Sequence, residues 1–454
     1  MSSSPVTSKK VAYVRGLPLL GSQFDLKHDR LNFLQRLAQA GDVSSFHLGF
    51  STYFLVNEPE LAEKVLVQHS KSFDRGRRLR SSRLHNGIVT SANEVHRQQR
   101  KSLASMFQPR HVLHYADVVA RYGEQRQQQW KDGEVIDLFP QMVSLTMDIL
   151  GNVLFNAEAI SKDGTLAAAV DGMFKASVAQ LFTAFSPPKS WQTPRRKRLR
   201  EAGERLAERV RTITAQFDGD NPAQERKDFL YLLIKARAEQ GEAIDVAEIA
   251  RECWPVFFAG YSTSPLALLW AWYLLMQHPE VYQKVQEEVD SVLGGRTPTY
   301  EDLANLPYCL QVFKETLRMC PPAPMIRREA LHDLDIDGYQ IPAGAIILIS
   351  PYTMHRRADT FPEPERFDPE RFTPEREKQL PRYAYMPFGG GPRVCLGNHF
   401  ALMEGHLLLA TLAQRLRFEL VANHPEVGFD LEHNLALRPD RKIEVIVRKR
   451  KGQV

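Results

Sequence analysis

Cys395 stands in the run Phe388-Gly389-Gly390-Gly391-Pro392-Arg393-Val394-Cys395-Leu396-Gly397, and no other stretch of the chain carries as much chemistry. Glycines ahead of the cysteine let the backbone fold tightly and turn its N–H groups toward whatever the sulfur holds. A helical pattern follows at once through Phe400, Ala401 and Glu404, which sets the sulfur at a helix start. A thiolate there is stabilised by the N–H groups and the helix dipole, and that suits an anionic metal ligand. A lone cysteine after a Gly-rich turn is more commonly a buried structural residue. The aromatic residue, the glycines and Arg393 at fixed distances from it argue for the ligand.

Three further groupings have the spacing for chemistry. Glu315 and Arg318 lie one turn apart on a helix expected over 308–319, just ahead of Cys320-Pro321-Pro322. By itself such a pair is a surface contact worth about 0.2–0.5 kcal/mol. His96 and Arg100 share one helix face at i and i+4. The segment Ala259-Gly260-Tyr261-Ser262-Thr263-Ser264 lies inside a long helical pattern and is followed by Pro265. Proline has no N–H to give the carbonyl of Tyr261, which creates a place beside that turn where a water can be held.

Positioning these groups takes a mainly α chain with a minor β region. Helical periodicity dominates from about 95 to 320; Leu199, Leu206, Val210, Ile213 and Phe217 form one amphipathic stripe. Phe174 to Phe185 reads as a shorter helix ending before Pro187-Pro188. Asp245 and Glu248 form a capping pair that starts a helix running to about Gln277. Pro279 starts the next, which Gly294-Gly295 ends. Phe46-His47-Leu48 and Tyr53-Phe54-Leu55-Val56 flank Gly49 as a hairpin, Asp337-Gly338 marks a second, and Ala345 to Ile349 is a buried strand. Residues 361–374, rich in Pro and Arg without periodicity, form an ordered loop. No linker, repeat or low-complexity tract interrupts the pattern. One domain over 1–454 is expected, with residues 1–60 and about 325–350 supplying its β-rich part, 95–320 the helix-rich part and 386–405 the cysteine loop and its helix.

The chain resembles the cytochromes P450, the heme-thiolate monooxygenases. Every fixed position of their F-x-x-G-x-R-x-C-x-G pattern is met, and the long helix, the Glu-x-x-Arg pair, the Pro-Arg loop and the cysteine loop follow in the right order over nearly the whole chain. The resemblance implies a triangular helical prism with a long central helix over the heme. It makes Cys395 the axial thiolate of heme b, in a loop shaped by Phe388, Gly389 and Gly397. His96, Arg100, Arg328 and Arg393 match positions that meet the heme carboxylates, with Arg327 as a substitute for Arg328; many members carry Trp where this chain has His96. Glu315, Arg318 and Arg371 match a buried triad that holds the cysteine loop, a structural role. Ala259, Gly260, Ser262 and Thr263 match the oxygen-binding segment, in which a glycine opens the helix and an acid–Thr pair manages protons. Thr263 is retained, but Ser262 stands where most members have Asp or Glu. A hydroxyl is no general acid near neutral pH, though it passes protons along a water chain. Phe258, Phe182, Ala323 and Met325 are implied walls of the substrate pocket, with residues 75–88. Arg77, Arg78 and Arg80 in that stretch raise the possibility of a carboxylate-bearing substrate.

The implied reaction inserts one oxygen atom of O2 into an apolar organic molecule (a fatty acid, terpenoid, steroid or other secondary metabolite) by hydroxylation or epoxidation. No flavin or iron–sulfur motif is present, so electrons are expected from a ferredoxin or flavodoxin with an NAD(P)H-dependent reductase. Ser262 keeps a peroxide-driven peroxygenase or a heme-dependent isomerase in view; a heme sensor without catalysis is the remaining alternative.

Bulk properties agree with a globular enzyme. The 454 residues are 43% hydrophobic and 25% charged, with a net charge of +5. Arg195-Arg196-Lys197-Arg198 and Arg448-Lys449-Arg450-Lys451 concentrate the basic excess. Without interleaved aromatic residues they do not read as a nucleic-acid surface, whereas an acidic electron carrier fits. Cys253, Cys309, Cys320 and Cys395 form no C-x-x-C pair, which argues against a zinc site or a disulfide framework. The N-terminus lacks the apolar core of a signal peptide, and no run reaches a membrane span's length. A cytoplasmic monomer without a membrane anchor is expected.

Overall fold

The computed structural model describes residues 9–76, 88, 91–104, 107–156, 197, 204, 228–239, 246–431 and 436–450. Phe182, the arginines at 77, 78 and 80, Asp245 and the stripe from Leu199 to Phe217 lie outside the described residues.

β-branched and aromatic runs from two distant parts of the sequence pair into one six-stranded sheet. Its strands are β1 (Ala12–Tyr13), β2 (Val43–Leu48), β3 (Ser51–Val56), β4 (Phe73–Asp74), β5 (Ile326–Ala330) and β6 (Ile346–Ile349), in the order β1-β2-β3-β6-β5-β4. The hairpin β2–β3 turns at Gly49, whose φ is 57°, and sets Phe46 opposite Tyr53. All four residues of β6 are buried, as a strand covered on both faces must be. β6 runs parallel to β3 and antiparallel to β5, which brings Arg328 opposite Ile347. Asp337 and Gly338 turn the expected second hairpin, with φ of 52° and 84°.

The described helices that shape the site include α1 (Asn93–Ala104), α2 (Leu138–Phe155), α3 (Val246–Gln277), α4 (Pro279–Leu293), α5 (Pro307–Met319) and α6 (Asn398–Arg415). At 32 residues α3 spans about 48 Å, enough to cross the whole helical part. Its C-terminal half, Leu266 to Leu275, is buried all round; such a helix belongs in the middle of a core. Trp270 donates from Nε1 to the carbonyl of Leu437 at 2.8 Å and anchors that end. Gly294, with φ of 54°, caps α4 in the left-handed conformation. α2 packs on one side of α3, while α5 and α6 pack on another. No described helix is long and apolar enough to cross a membrane.

Candidate active site

The cysteine loop is held by tight backbone turns. The N–H of Gly389 donates to Met386, that of Cys395 to Phe388, and that of Ala401 to Gly397. Gly391 has φ of 67°, and a Cβ there would fall 1.9 Å from the carbonyl oxygen of Leu66, so only glycine fits. Cys395 thus lies two residues ahead of the α6 N-cap, Gly397. Its side chain is exposed to an internal cavity rather than to bulk solvent. Burial pushes the thiol up, while a hydrogen bond from the Gly397 backbone and the charge of Arg100 pull it down.

Two adjoining cavities of about 210 and about 320 Å³ meet at this sulfur. Their shared walls include Thr263 and Ser264 from α3 and Ala401 and Glu404 from α6. Ala259, Gly260 and Thr263 line the cavity as expected. The Thr263 hydroxyl donates to the Ala259 carbonyl at 3.0 Å. No opened turn breaks α3 at Gly260. The helix runs on through Pro255 and Pro265, and Gly260 instead admits α2, because a Cβ would meet a Leu150 methyl at 2.9 Å.

Two expected site residues are not brought to the cavity. The α3 wall consists of Val256, Ala259, Gly260, Thr263, Ser264, Ala267 and Leu268, spaced as one helical face. Ser262 and Phe258 fall off that face and are buried in the surrounding core. The hydroxyl that does reach the cavity is that of Ser264. Phe388, Gly389, Ala323 and Met325 line the larger cavity, and Gly397 the smaller.

The predicted cations converge. His96 and Arg100 line the smaller cavity, Arg328 the larger, and Arg393 both. Arg75, which sequence reasoning assigned only to a loop wall, joins them and lines both. Arg100 donates to the Val394 carbonyl at 2.7 Å, tying α1 to the cysteine loop. Arg393 donates to the Ser91 carbonyl and to Asn93 Oδ1, each at 2.9 Å. Arg327 cannot substitute for Arg328, since it is held by the Arg75 carbonyl at 2.9 Å and Glu329 at 3.7 Å. Asp74, 3.6 Å from Arg393, is the acid that counters the cluster. The cations suppress one another. Burial and then the neighbouring arginines push Arg328 well down and His96 to about 3. Burial and then Arg393 push Arg75 to about 10. Arg75 Nε and one terminal nitrogen of Arg393 are buried without a hydrogen-bond partner. A set of crowded, partly orphaned cations in a cavity wall requires an anion. The carboxylates of a heme seated over Cys395 fit it.

The third grouping is closed on itself. Arg318 grips Glu315 with two bonds of 2.7 and 2.8 Å, and neither side chain is exposed at all. The remaining Arg318 donors go to the carbonyls of His355 and Arg366, and Glu315 also accepts from the Asp368 N–H at 2.9 Å. Arg371 stands 3.5 Å from Glu315 and donates to the Glu363 carbonyl. His355 extends the network to the cysteine loop: Nδ1 donates to the Arg318 carbonyl, and Nε2 accepts from the Met386 N–H at 2.9 Å. The sequence gives no warning of this His, because the link joins carbonyls and N–H groups far apart in the chain.

Comparison with known proteins agrees with this geometry. The family described as Cytochrome P450 matches residues 12–447. Cyclooctatin synthase of Streptomyces melanosporofaciens is 33% identical over 411 residues, 88% of either chain. Pentalenene oxygenase of Streptomyces avermitilis is 30% identical over 408 residues, 88% of this chain and 89% of the other. A retinoic acid-bound cyanobacterial CYP120A1 superposes with a TM-score of 0.82 over 98% of this chain and 100% of that one at 24% identity, which shows the fold. With a cysteine at a helix start, cations awaiting an anion and a match over nearly its full length, the chain belongs to the cytochrome P450 family of heme-thiolate monooxygenases.

Proposed function

We propose that this enzyme oxidises a neutral, polycyclic terpenoid and that Cys395 is the thiolate ligand of its heme b. The observation that carries the substrate class is the segregation of charge in the cavity. The cationic side chains gather beside the cysteine loop, where they suit the cofactor's carboxylates. Among the described residues the rest of the wall is mostly apolar, with Leu150 and Val256 in one cavity and Leu317, Ala323, Met325 and Ile326 in the other, Glu404 being the acid between them. Pentalenene oxygenase is named for a terpenoid substrate, which supports this class for the present chain.

Heme b supplies the binding and reductive activation of dioxygen when it is in place. The chain's own residues do the rest. Cys395 would hold the heme iron through its sulfur and supply electron density to it, with the Gly397 N–H and Arg100 partly offsetting the burial that raises the thiol. Arg75, Arg100, Arg328 and Arg393 would hold the two heme carboxylates, with the neutral His96 as a hydrogen-bonding neighbour. Thr263 presents a hydroxyl oxygen to the cavity while its proton is committed to Ala259. The apolar walls orient the substrate and exclude bulk water. Electrons arrive from a separate ferredoxin or flavodoxin. The exposed Arg97, Lys101 and Arg110, on helices packed about the cysteine loop and α6, favour an acidic carrier. We place the enzyme in the cytoplasm as a monomer.

The test is an optical titration of the ferric enzyme. Neutral polycyclic terpenoids should displace the iron's water and shift the Soret band, whereas long-chain fatty acids should not. A shift with free acids that their methyl esters fail to produce would overturn the neutral-substrate reading. Cys395→Ala should abolish the red-shifted band of the ferrous carbonyl form, and its persistence would overturn the ligand assignment.

A further inference from the structure

We propose that Tyr383 is a positioning residue for the heme thiolate: its ring, pressed on the α-carbon of Gly390, holds the tip of the cysteine loop against the Leu66 carbonyl and so fixes where the Cys395 sulfur sits. The inference rests on Cys395 as the heme ligand and is independent of which substrate is bound.

Three consecutive glycines, Gly389 to Gly391, give this loop wide conformational freedom, and a ligand on such a loop wanders unless something outside it restrains the backbone. Hydrogen bonds fix the base. The Cys395 N–H donates to the Phe388 carbonyl at 2.9 Å, and the Met386 N–H to His355 Nε2 at the same distance. At the tip, the bond from the Val394 N–H to the Gly391 carbonyl, at 3.0 Å, stays within the loop. Outside restraint there comes from packing on two sides. Gly391 faces the Leu66 carbonyl. Gly390 is buried against Tyr383, and a Cβ there would lie 2.1 Å from Cε1 of the ring. The φ of Gly390, −160°, is extended backbone that any residue adopts. The ring, not the backbone, demands glycine at 390.

Tyr383 occupies a position that disfavours tyrosine. The Ala384 N–H donates to the Pro381 carbonyl at 3.0 Å and closes a four-residue turn with Tyr383 third in it. Its φ is 66°, a conformation that Gly or Asn takes in turns and an outlier for a bulky side chain. Strain of this kind persists where the surroundings over-determine it, and it gathers at functional sites. Here it lays the ring on Gly390 while the side chain packs on the apolar cluster that contains Leu66 and Met386.

The opposing side is equally unusual. Leu66 lies in a π-helical turn, Lys64–Gln68, a rare geometry that recurs at functional sites. That turn continues from the helix Pro59–Glu63, and Glu63 pairs with Arg382 at 2.8 Å. The ion pair straps together the two segments whose Tyr383 and Leu66 grip adjacent glycines. Groups behind a metal ligand orient it and tune the metal. Neither Tyr383 nor Leu66 lines the cavities, so a change at either leaves the substrate walls in place.

The experiment follows the heme-loaded enzyme in its ferrous carbonyl form, timing the conversion of the red-shifted thiolate band to an unshifted one. The heme midpoint potential is a second readout, and unfolding of the apoprotein is the control. Tyr383→Phe keeps the ring and should keep the wild-type lifetime and potential. Tyr383→Ala should lose the shifted band about tenfold faster or more, with a displaced potential. Tyr383→Asn removes the ring but suits the positive φ, so it should lose the band as fast while its apoprotein unfolds no earlier than the wild type. Gly390→Ala, on a backbone that accepts alanine, should match Y383A because the new methyl strikes the ring. Combined with Y383A it should lose the band no faster than alone, since contacting residues are not additive. Wild-type band lifetimes in Y383N or G390A, or losses that multiply in the double variant, would overturn the proposal. So would a band loss in Y383A that only tracks its apoprotein stability and is not shared by Y383N. Should Y383A fail to fold, Y383N and G390A carry the test. A wild type without the shifted band would instead refute the ligand assignment, and this inference with it.

Discussion

Two buried charged clusters lie on either side of the cysteine loop, and they have opposite bookkeeping. Around Glu315 the strong bonds close within the chain: the carboxylate takes both arms of Arg318 and the Asp368 N–H, Arg318 also reaches the His355 and Arg366 carbonyls, and the nitrogen left without a partner, Arg371 Nε, stands at the edge. Around Arg393 the cations outnumber their acids, crowd one another and leave Arg75 Nε without a partner. A closed network is part of the folded chain. An open one is a binding site, because its missing counter-charge has to come from outside. The contrast separates a structural role from a cofactor role without reference to any relative.

The comparison is broken most severely inside the closed network. Glu315→Ala leaves Arg318, wholly buried, without its carboxylate, and removing one partner of a buried pair costs about 3–5 kcal/mol. Denaturant unfolding of the apoprotein should show that loss directly. An E315A apoprotein as stable as the wild type would mean the network is not a fold determinant.

The closed network should also contribute to acid sensitivity, as His96 does in the open one. Burial, then the charge of Arg318, push His355 down to about 3, and its ring is fixed as neutral because Nε2 accepts the Met386 N–H. A His whose pKa is lower in the folded state contributes stability that is present above its unfolded value of 6.5. That stability is lost as pH falls toward about 3. Between those limits His355 adds about 1.4 kcal/mol of lost stability per pH unit. His355→Gln, which takes up no proton, should start less stable but show a slope shallower by that amount. An unchanged slope in apoprotein melts from neutral to acid pH would refute the assignment.

How much of this was legible beforehand depends on whether a group acts through its type or through distant packing. Cys395, Glu315, Arg318 and the helix expected over 308–319, found as Pro307–Met319, were readable because each requirement is local: a glycine-rich turn before the cysteine and an i,i+3 pair on one helix face. The hairpins at Gly49 and Asp337-Gly338 were readable for the same reason. Ser262 and Phe258 were expected from family position, whereas helical phase turns both off the cavity face that Val256, Ala259 and Thr263 define. Arg75 and His355 could not be found this way. Arg75 matters only because β4 pairs with β5 and carries it to Arg328, and His355 only because Met386 folds back upon it.

On the open side, substitution should affect the cofactor and spare the chain. Arg393→Ala removes a charge-assisted bond of about 1.5–3 kcal/mol to a heme carboxylate, so heme should transfer to an acceptor apoprotein about tenfold faster or more. The apoprotein itself should lose little, because removing Arg393 also relieves the repulsion that lowers Arg75 and His96. A large loss of apoprotein stability with normal heme retention would reverse the roles assigned to the two clusters.

The smallest effect sharpens the boundary of the closed network. Arg371 belongs to it by charge, yet it sits 3.5 Å from Glu315, its Nε has no hydrogen-bond partner, and its side chain keeps 10% of its surface. Glu315 retains both Arg318 bonds and the Asp368 N–H without it. Arg371→Ala should therefore cost about 1 kcal/mol, the scale of one hydrogen bond such as that to the Glu363 carbonyl. In combination with E315A it should still cost about 1 kcal/mol, since the bond to the Glu363 carbonyl does not involve Glu315 and independent effects add. A double-mutant cycle on the apoprotein gives the answer. A coupling energy as large as that between Glu315 and Arg318 would make Arg371 a full third member; a small one leaves a buried pair with a peripheral guard.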